Sequence, residues 1–235
     1  MSRYDLINKK IGKAIYEQKV IEKNDKILIG LSGGKDSLIM SEMLAEKKEY
    51  FPFPFQLEAI HVNIKNIGYE VDEDYLKHFC NNLNIPLHLE NLEVNIENNK
   101  SPCFVCSWHR RKTLFQSTQK IECNKLALGH NMDDAAETLL MNMVYHGMIS
   151  GLPYKVSFFE NTFEVIRPLL NCSEKILSEY ANDKNYPKEI RTCPHSNKTG
   201  RQKIKSIIDQ LKGLNKDSLI NIFNSVNNQY PEYLP

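Results

Sequence analysis

The sequence predicts an α/β protein built on a doubly wound parallel sheet of five strands, with helices added at both ends. Three observations carry that reading. Short apolar runs of strand length alternate with stretches of helical periodicity along most of the chain. The run Ile27-Leu28-Ile29-Gly30-Leu31 enters a glycine turn, Ser32-Gly33-Gly34, and then a helix, as a strand covered on both faces does. Polar islands stand at three strand ends: Ser32–Ser37, His61–Asn63 and His130–Asp134. In an open parallel sheet such ends are where ligands bind.

The elements follow in order. Residues 3–22 read as an amphipathic helix with Leu6, Ile7, Ile11, Ala14, Ile15 and Ile21 near one side. After the first strand, a helix opens at Lys35-Asp36-Ser37 and carries Leu38, Ile39, Met43 and Leu44. A proline-punctuated connector, 49–54, leads to a second strand over 55–63. A helix over 72–82 has Tyr75, Leu76, Phe79 and Leu83 on its apolar side, and a third strand covers 86–92. A polar stretch, 93–101, precedes Pro102-Cys103-Phe104-Val105-Cys106 and a helix to about Glu122. The fourth strand is 125–129, followed by a helix over 133–145. The fifth is 163–170, ending in Arg167-Pro168. Ser173 is placed to cap a helix to about Asn185, with Glu174 in its first turn. A loop over 187–199 and two helices over 200–228 complete the chain. The expected division is an N-terminal helix (1–24), a nucleotide-binding domain (25–190) and a C-terminal cysteine loop with helices (191–235) packed on that domain.

The glycine turn is an anion cradle. Removing side chains at Gly33 and Gly34 lets backbone N–H groups converge at the positive end of a helix dipole, where phosphate binds. It is not a Walker A loop: Gly30 lies one residue too close to Gly34-Lys35, and Asp36 follows the lysine. Ser32, Gly33, Gly34, Lys35, Asp36 and Ser37 read instead as S-G-G-x-D-S, the pyrophosphate loop of enzymes that cut ATP between its α and β phosphates. Asp36 is expected to assist through Mg²⁺ or through loop geometry. His61, Asn63 and Gly129, at neighbouring strand ends, complete the expected nucleotide site.

In the second island, Gly129-His130-Asn131-Met132-Asp133-Asp134, two adjacent carboxylates beside a triphosphate suit Mg²⁺, which takes one or two carboxylates plus phosphates. Asp133 equally suits a helix N-cap. His130 is placed to orient a phosphate or carry a proton. Cys103 and Cys106 form a C-x-x-C pair at a helix start, where thiolates are favoured. A redox pair, a persulfide carrier and half of a metal site all fit it. Cys193, in a polar loop, is a candidate third ligand, whereas Cys80, Cys123 and Cys172 fit packing positions.

Composition sets the bounds. The chain has 235 residues, 41% of them apolar and 25% charged, with a formal net charge of +1. A nucleic-acid partner would therefore need local basic patches. Trp108, His109, Arg110, Arg111 and Lys112 form one such run, and Lys198, Arg201, Lys203 and Lys205 another; a solvated helix face is the alternative for both. The N-terminal stretch has no apolar signal core, and no run is long enough to span a membrane. Six cysteines without a signal segment suggest a reducing, cytoplasmic setting.

The segments SGGKDS, CFVCSWHRRKTLF, GHNMDDAAETLLMNMVYHGMISGLP, VIRPLL and NIFNSVNNQYPEYL together resemble the tRNA 2-thiocytidine synthetase family. The resemblance covers nearly the whole chain. It implies an adenine-nucleotide α-hydrolase-like fold, ATP with Mg²⁺, and a [4Fe-4S] cluster held by Cys103, Cys106 and Cys193. It implies catalysis by Asp36, Asp133 and Asp134, with Arg110 from the basic pair Arg110-Arg111. It further implies adenylation of a tRNA base carbonyl followed by replacement of its oxygen with sulfur. The partners implied are tRNA and a sulfide or persulfide donor such as a cysteine desulfurase, with a homodimer left open. Two departures stand out. Asn131 replaces a second histidine, and Cys193 sits in TCPHSNKTGR rather than in a second C-x-x-C. A ligase of the lysidine synthetase type, or sulfur transfer to a uridine or a small molecule, remains the alternative.

Overall fold

The computed structural model describes residues 1–65, 71–94, 102–187, 200–230 and 232, with backbone alone at 102 and 103. Its elements are α1 (Arg3–Gln18), β1 (Lys26–Gly30), α2 (Lys35–Tyr50), β2 (Gln56–Ile64), α3 (Glu73–Asn82), β3 (Leu87–Leu92) and α4 (Pro102–Lys120). These are followed by β4 (Lys125–Ala127), α5 (Met132–His146), β5 (Lys155–Phe158), β6 (Phe163–Ile166), α6 (Glu174–Asp183), α7 (Gly200–Leu214) and α8 (Ser218–Ser225).

The strand order is β3-β2-β1-β4-β6-β5. Every pairing is parallel except β5 with β6, which is antiparallel. The direction of winding reverses between β1 and β4, so a crevice opens there at the carboxyl edge. Successive residues of β1 serve opposite faces of the sheet. Ile27 and Ile29 join the core made with α1, α2, α3 and α6, while Leu28 joins Ile60, Val62, Leu114, Leu126 and Val165 on the other face. All three are fully buried, which accounts for the unbroken apolar run. A third, smaller cluster seats α7 on α5 through Ala136, Ile204 and Ile208.

The sheet thus has six strands where the sequence predicts five. The added strand, β5, is short and lies at the edge. It reaches β6 through Phe159, Glu160 and Asn161, all with positive φ (48, 54 and 69°). A turn of that kind is ordinarily announced by glycine, and none is present. Boundaries also move: the second strand shifts by one residue to Gln56–Ile64, and the fourth ends at Ala127 rather than 129. The apolar spacing of the first helix continues to Ile21, but the helix stops at Gln18 because Lys19 turns left-handed (φ 49°); Val20 and Ile21 stay buried outside it. The last parallel strand ends at Ile166 rather than 170, and Leu169, Leu170 and Cys172 are buried in the turn that follows. The fifth helix begins at Met132, one residue before the expected start. The loop expected over 187–199 lies outside the described residues apart from Pro187. Among the described residues, no helix is long and apolar enough to cross a membrane.

Candidate active site

A cavity of about 830 Å³ occupies the crevice at the carboxyl edge, where it is lined from β1, β2, α2, α4, α5, α6 and α7. It brings together Ser32, Gly34, Lys35, Asp36, Ser37, His61, Arg110, Gly129, His130, Asp133 and Asp134. Gly33 and Asn63 stand outside the lining. Asn63 Nδ2 donates to Glu73 Oε1 (3.2 Å) at the start of α3, an interaction that ties β2 to the next helix.

The glycine turn is wound about two serines. Ser37 Oγ donates to the Gly34 carbonyl (2.8 Å) and accepts from Ser32 N (3.2 Å), and Gly34 N donates to Ser32 Oγ (3.2 Å). Gly34 is the N-cap of α2 and brings no side chain to that helix end, whose N–H groups are the unsatisfied donors of any helix start. Gly33 has φ +85°, and a Cβ there would lie 2.5 Å from Val71 Cγ1, so no other residue fits without displacement. Gly129 permits a second close approach: its Cβ would lie 3.2 Å from both Asp36 C and Ser37 N. The end of β4 is therefore pressed against the first turn of α2. His61 is buried, and its Nδ1 lies 2.8 Å from the Leu31 carbonyl, holding the entry to the turn. Burial lowers its pKa.

A charged network crosses the cavity floor. Lys35 Nζ reaches Asp36 Oδ1 (2.7 Å) and Glu174 Oε1 (2.9 Å). Asn131 Nδ2 donates to Asp36 Oδ2 (3.2 Å) and to Glu174 Oε2 (2.9 Å). Burial pushes the Asp36 carboxyl up to about 6, against the pull of Lys35. Burial opposes the charge on Lys35, but Asp36 and Glu174 outweigh it and raise its pKa.

The adjacent acids divide their labour. Asp134 and Asn131 form a capping box at the start of α5: Asn131 N donates to Asp134 Oδ2 (3.0 Å), and Asp134 N to Asn131 Oδ1 (3.1 Å). Asp133 caps a different helix, its Oδ2 accepting from Glu174 N (2.7 Å) at the start of α6. Ser173 occupies the N-cap position there but makes no side-chain cap bond. The remaining carboxylate oxygens face α7, with Arg201 Nη2 3.4 Å from Asp134 Oδ1 and Lys212 Nζ 3.8 Å from Asp133 Oδ1. His130 is held neutral, its pKa driven down to about 4 by burial, with Asp134 opposing and Arg167, Arg201 and Arg111 adding to the shift.

Residues 4–207 match the family described as the PP-loop domain. The chain belongs to the PP-loop family. Its relatives include the tRNA-cytidine(32) 2-sulfurtransferase of Shewanella sp. strain ANA-3, 33% identical over 232 residues, covering 96% of this chain and 74% of that protein. The enzyme of the same name from Paraburkholderia phytofirmans is 32% identical, with 96% and 69% covered. Among solved structures, the U34-tRNA thiolase NcsA from Methanococcus maripaludis, determined with its [4Fe-4S] cluster, superposes with a TM-score of 0.79. It is 26% identical, with 99% of this chain and 80% of that chain covered.

Beyond the PP-loop, α4 carries the cysteine pair into the same region. Cys103 lies in the helix's first turn, and Cys106 is half-buried against Ile64, Val94 and Val105 at the carboxyl ends of β2 and β3. Ser107, Arg110 and Arg111, further along the same helix, line the cavity. Cys193 lies outside the described residues. The other three thiols are poor ligand candidates. Burial raises Cys80 and Cys123 to about 11 and Cys172 to about 12, so each stays protonated in its apolar site.

Sequence reasoning missed Glu174 as a hub, having placed it only for its charge near a helix start. Its carboxylate joins the PP-loop lysine to Asn131, and its N–H joins α6 to Asp133. It also placed Arg201 only in a basic run. In the structure Arg201 Nε bonds the buried Glu137 Oε2 at 2.9 Å. Both are long-range pairings, and no local spacing marks them. Asn131 was noted only as a departure from the family pattern, although an Asn three residues before an Asp at a helix start carries the capping-box signal.

Proposed function

We propose that this chain is an ATP-dependent tRNA sulfurtransferase that replaces the 2-oxygen of a cytidine with sulfur. The observation that carries the reading is the convergence of the PP-loop, the Asp133-Asp134 turn and the cysteine-bearing α4 on one cavity. The names of the relatives support a tRNA cytidine as the acceptor, and the likeness to a U34-tRNA thiolase supports tRNA thiolation more broadly. We read residues 25–190 as the PP-loop domain, with α1 and the segment from 191 packed onto it.

The base carbonyl oxygen attacks the α-phosphorus of ATP, and pyrophosphate leaves. Sulfide at the same oxidation level as water's oxygen then attacks the carbon, and AMP leaves with the original oxygen, so no reductant is consumed. The backbone N–H groups of Lys35 and Asp36 in the first turn of α2 bind the phosphates, and the Lys35 side chain meets the charge that develops on pyrophosphate. Asp36 holds Lys35 in place. Asp134, facing the cavity beside Arg201, is the acid we assign to the transfer, while Asp133 positions α6 and Glu174. Arg110, on the α4 wall, is assigned to the adenylate. His61 and Gly129 shape the nucleotide site, and neutral His130 offers an uncharged imidazole whose Nδ1 is buried without a hydrogen-bond partner among the described residues.

Among the described residues, no group of three or more His, Cys, Asp or Glu side chains is arranged to hold a metal ion. Mg²⁺ needs only one or two carboxylates when phosphates supply its other ligands, and Asp36 or Asp134 fits that need. When bound, the metal would neutralise phosphate charge. The thiols that burial leaves unassigned, Cys103, Cys106 and Cys193, suit three ligands of a [4Fe-4S] cluster, which would supply an open iron position for sulfide. The donor we expect upstream is a cysteine desulfurase, with a dithiol supplying the two electrons that bring its persulfide sulfur to the sulfide level used here. The test is mass spectrometry of tRNA nucleosides from a deletion strain together with AMP release by the purified protein. Loss of 2-thiocytidine and tRNA-dependent AMP formation are expected. An intact thionucleoside profile would overturn the reading.

A further inference from the structure

Helix α4 carries a feature that ATP and sulfur chemistry leave unused. Its 19 residues contain no aspartate or glutamate, in a chain with 29 acidic residues. Phe104 and Trp108, one turn apart, are 62% and 47% exposed. Side chains left so far in water are not there for the core. Lys112 Nζ lies 5.2 Å from the Trp108 ring centroid, and the His109 ring meets that ring edge-on at 4.8 Å. A charged helix face serving only solubility has no use for two aromatic faces. Ser107, Arg110 and Arg111, interleaved with this stripe, line the active-site cavity. The stripe is thus continuous with the place where an acceptor base must arrive.

We propose that Phe104 and Trp108 form a stacking platform for unpaired bases of the acceptor RNA, with Lys112 and the adjoining arginines meeting its backbone phosphates. The inference rests on the tRNA reading and specifies how the RNA is held. Aromatic faces accept any base whose stack has been opened, and single-stranded loops are what proteins read in RNA. The absence of acids along α4 removes repulsion from the phosphate backbone. An acidic or apolar protein partner would suit the cations or the aromatics separately, whereas a looped polynucleotide uses both.

Trp108 is the only tryptophan in the chain, so its emission reports on this surface directly. The full chain is titrated with tRNA, with an RNA hairpin that presents a single-stranded loop, and with a fully paired duplex of the same composition. Saturable quenching by tRNA and hairpin, and much weaker quenching by duplex, are expected. By direct binding measurements, Trp108→Ala should weaken the hairpin about tenfold, the scale of one lost base stack, while Trp108→Phe retains most of the affinity. Lys112→Gln should lower the slope of log affinity against log salt by about one phosphate contact. ATP binding and melting temperature should not move in any of the three. Unquenched emission in the wild type, together with undiminished RNA affinity in Trp108→Ala, would overturn the platform and leave the tRNA reading standing. Equal quenching by duplex would also overturn it. Loss of self-association in Trp108→Ala with RNA affinity unchanged would assign the stripe to protein contact instead. No tRNA binding together with no tRNA-dependent AMP release would bring down both readings.

Discussion

Replacing Asp133 separates two jobs that adjacent carboxylates at a strand end are able to do. Its Oδ2 accepts the Glu174 N–H at 2.7 Å, and its side chain is only 17% exposed. Asp133→Ala leaves the first N–H of α6 without that acceptor, and Ser173 makes no substitute bond. Removing a cap costs about 1–2 kcal/mol, and the charge on this acceptor places the loss near the upper end. Lys212, 3.8 Å away and 38% exposed, adds no more than a few tenths. In a chain of 235 residues a loss of about 2 kcal/mol lowers the melting temperature by ~4–8 °C. Asp133→Asn keeps an oxygen in place and should cost less than about half of that.

Activity then discriminates. Glu174 is fixed by Asp133 at its N–H and holds Lys35 with its carboxylate. If Asp133 acts by positioning, Asp133→Asn should retain tRNA-dependent AMP release within a small factor. Asp134→Asn, which keeps its capping box but loses the charge facing Arg201, should fall by orders of magnitude. Scanning calorimetry and a single-turnover AMP assay on the two Asn variants and on Asp133→Ala decide the matter. The reasoning is refuted if Asp133→Ala melts within a degree of the wild type, or if Asp133→Asn melts normally and is inactive.

Two further predictions follow from titration and from the thiols. Asp36, raised by burial to about 6, should impose an acid limb near that pH on adenylation, and Asp36→Asn should lack the limb; a wild-type profile flat from pH 5 to 7 contradicts this. The raised value means that the folded chain holds the proton more tightly than the unfolded one, whose value is 3.8. Relative to Asp36→Asn, the wild type therefore gains stability as pH falls from about 6 towards 4, visible as converging melting temperatures. For the cluster, anaerobic reconstitution of Cys103→Ala, Cys106→Ala and Cys193→Ala should each lose bound iron and brown absorbance, whereas Cys80→Ala should keep both; full iron in Cys193→Ala would return the pair to a persulfide role.

The parallel strands were legible because burial on both faces writes itself as an apolar run, as at Ile27, Leu28 and Ile29. The edge strand was not, because β5 is half-buried over four residues and turns back through three left-handed non-glycine residues that carry no turn signature. The end of α1 was obscured for the opposite reason. Ile21 keeps the helical spacing and is buried, but it packs from a bend beyond the helix, and periodicity cannot tell the two apart.

At the site, the legible part was the part built by neighbours in sequence. The PP-loop closes through Ser32, Gly34 and Ser37, all within one turn of chain, and its chemistry is written in residue types at fixed spacing. The hub that holds it is built by residues far apart: Asp36 and Asn131 are 95 positions apart, Asn131 and Glu174 are 43, and Glu137 and Arg201 are 64. Such pairs depend on the winding reversal between β1 and β4, which sets the starts of α2, α5 and α6 side by side. Three helix starts meeting at one point concentrate positive dipole ends, which favours the carboxylates gathered there and, beyond them, the phosphates the PP-loop receives. An Asp-Asp pair is then ambiguous by construction, since helix capping and phosphate chemistry ask for the same residue at the same place. The hydrogen bond from Glu174 N commits one oxygen of Asp133 to a helix other than its own. Asp134, whose cap lies within its own helix and whose other oxygen lies 3.4 Å from Arg201, is the acid we propose for the chemistry.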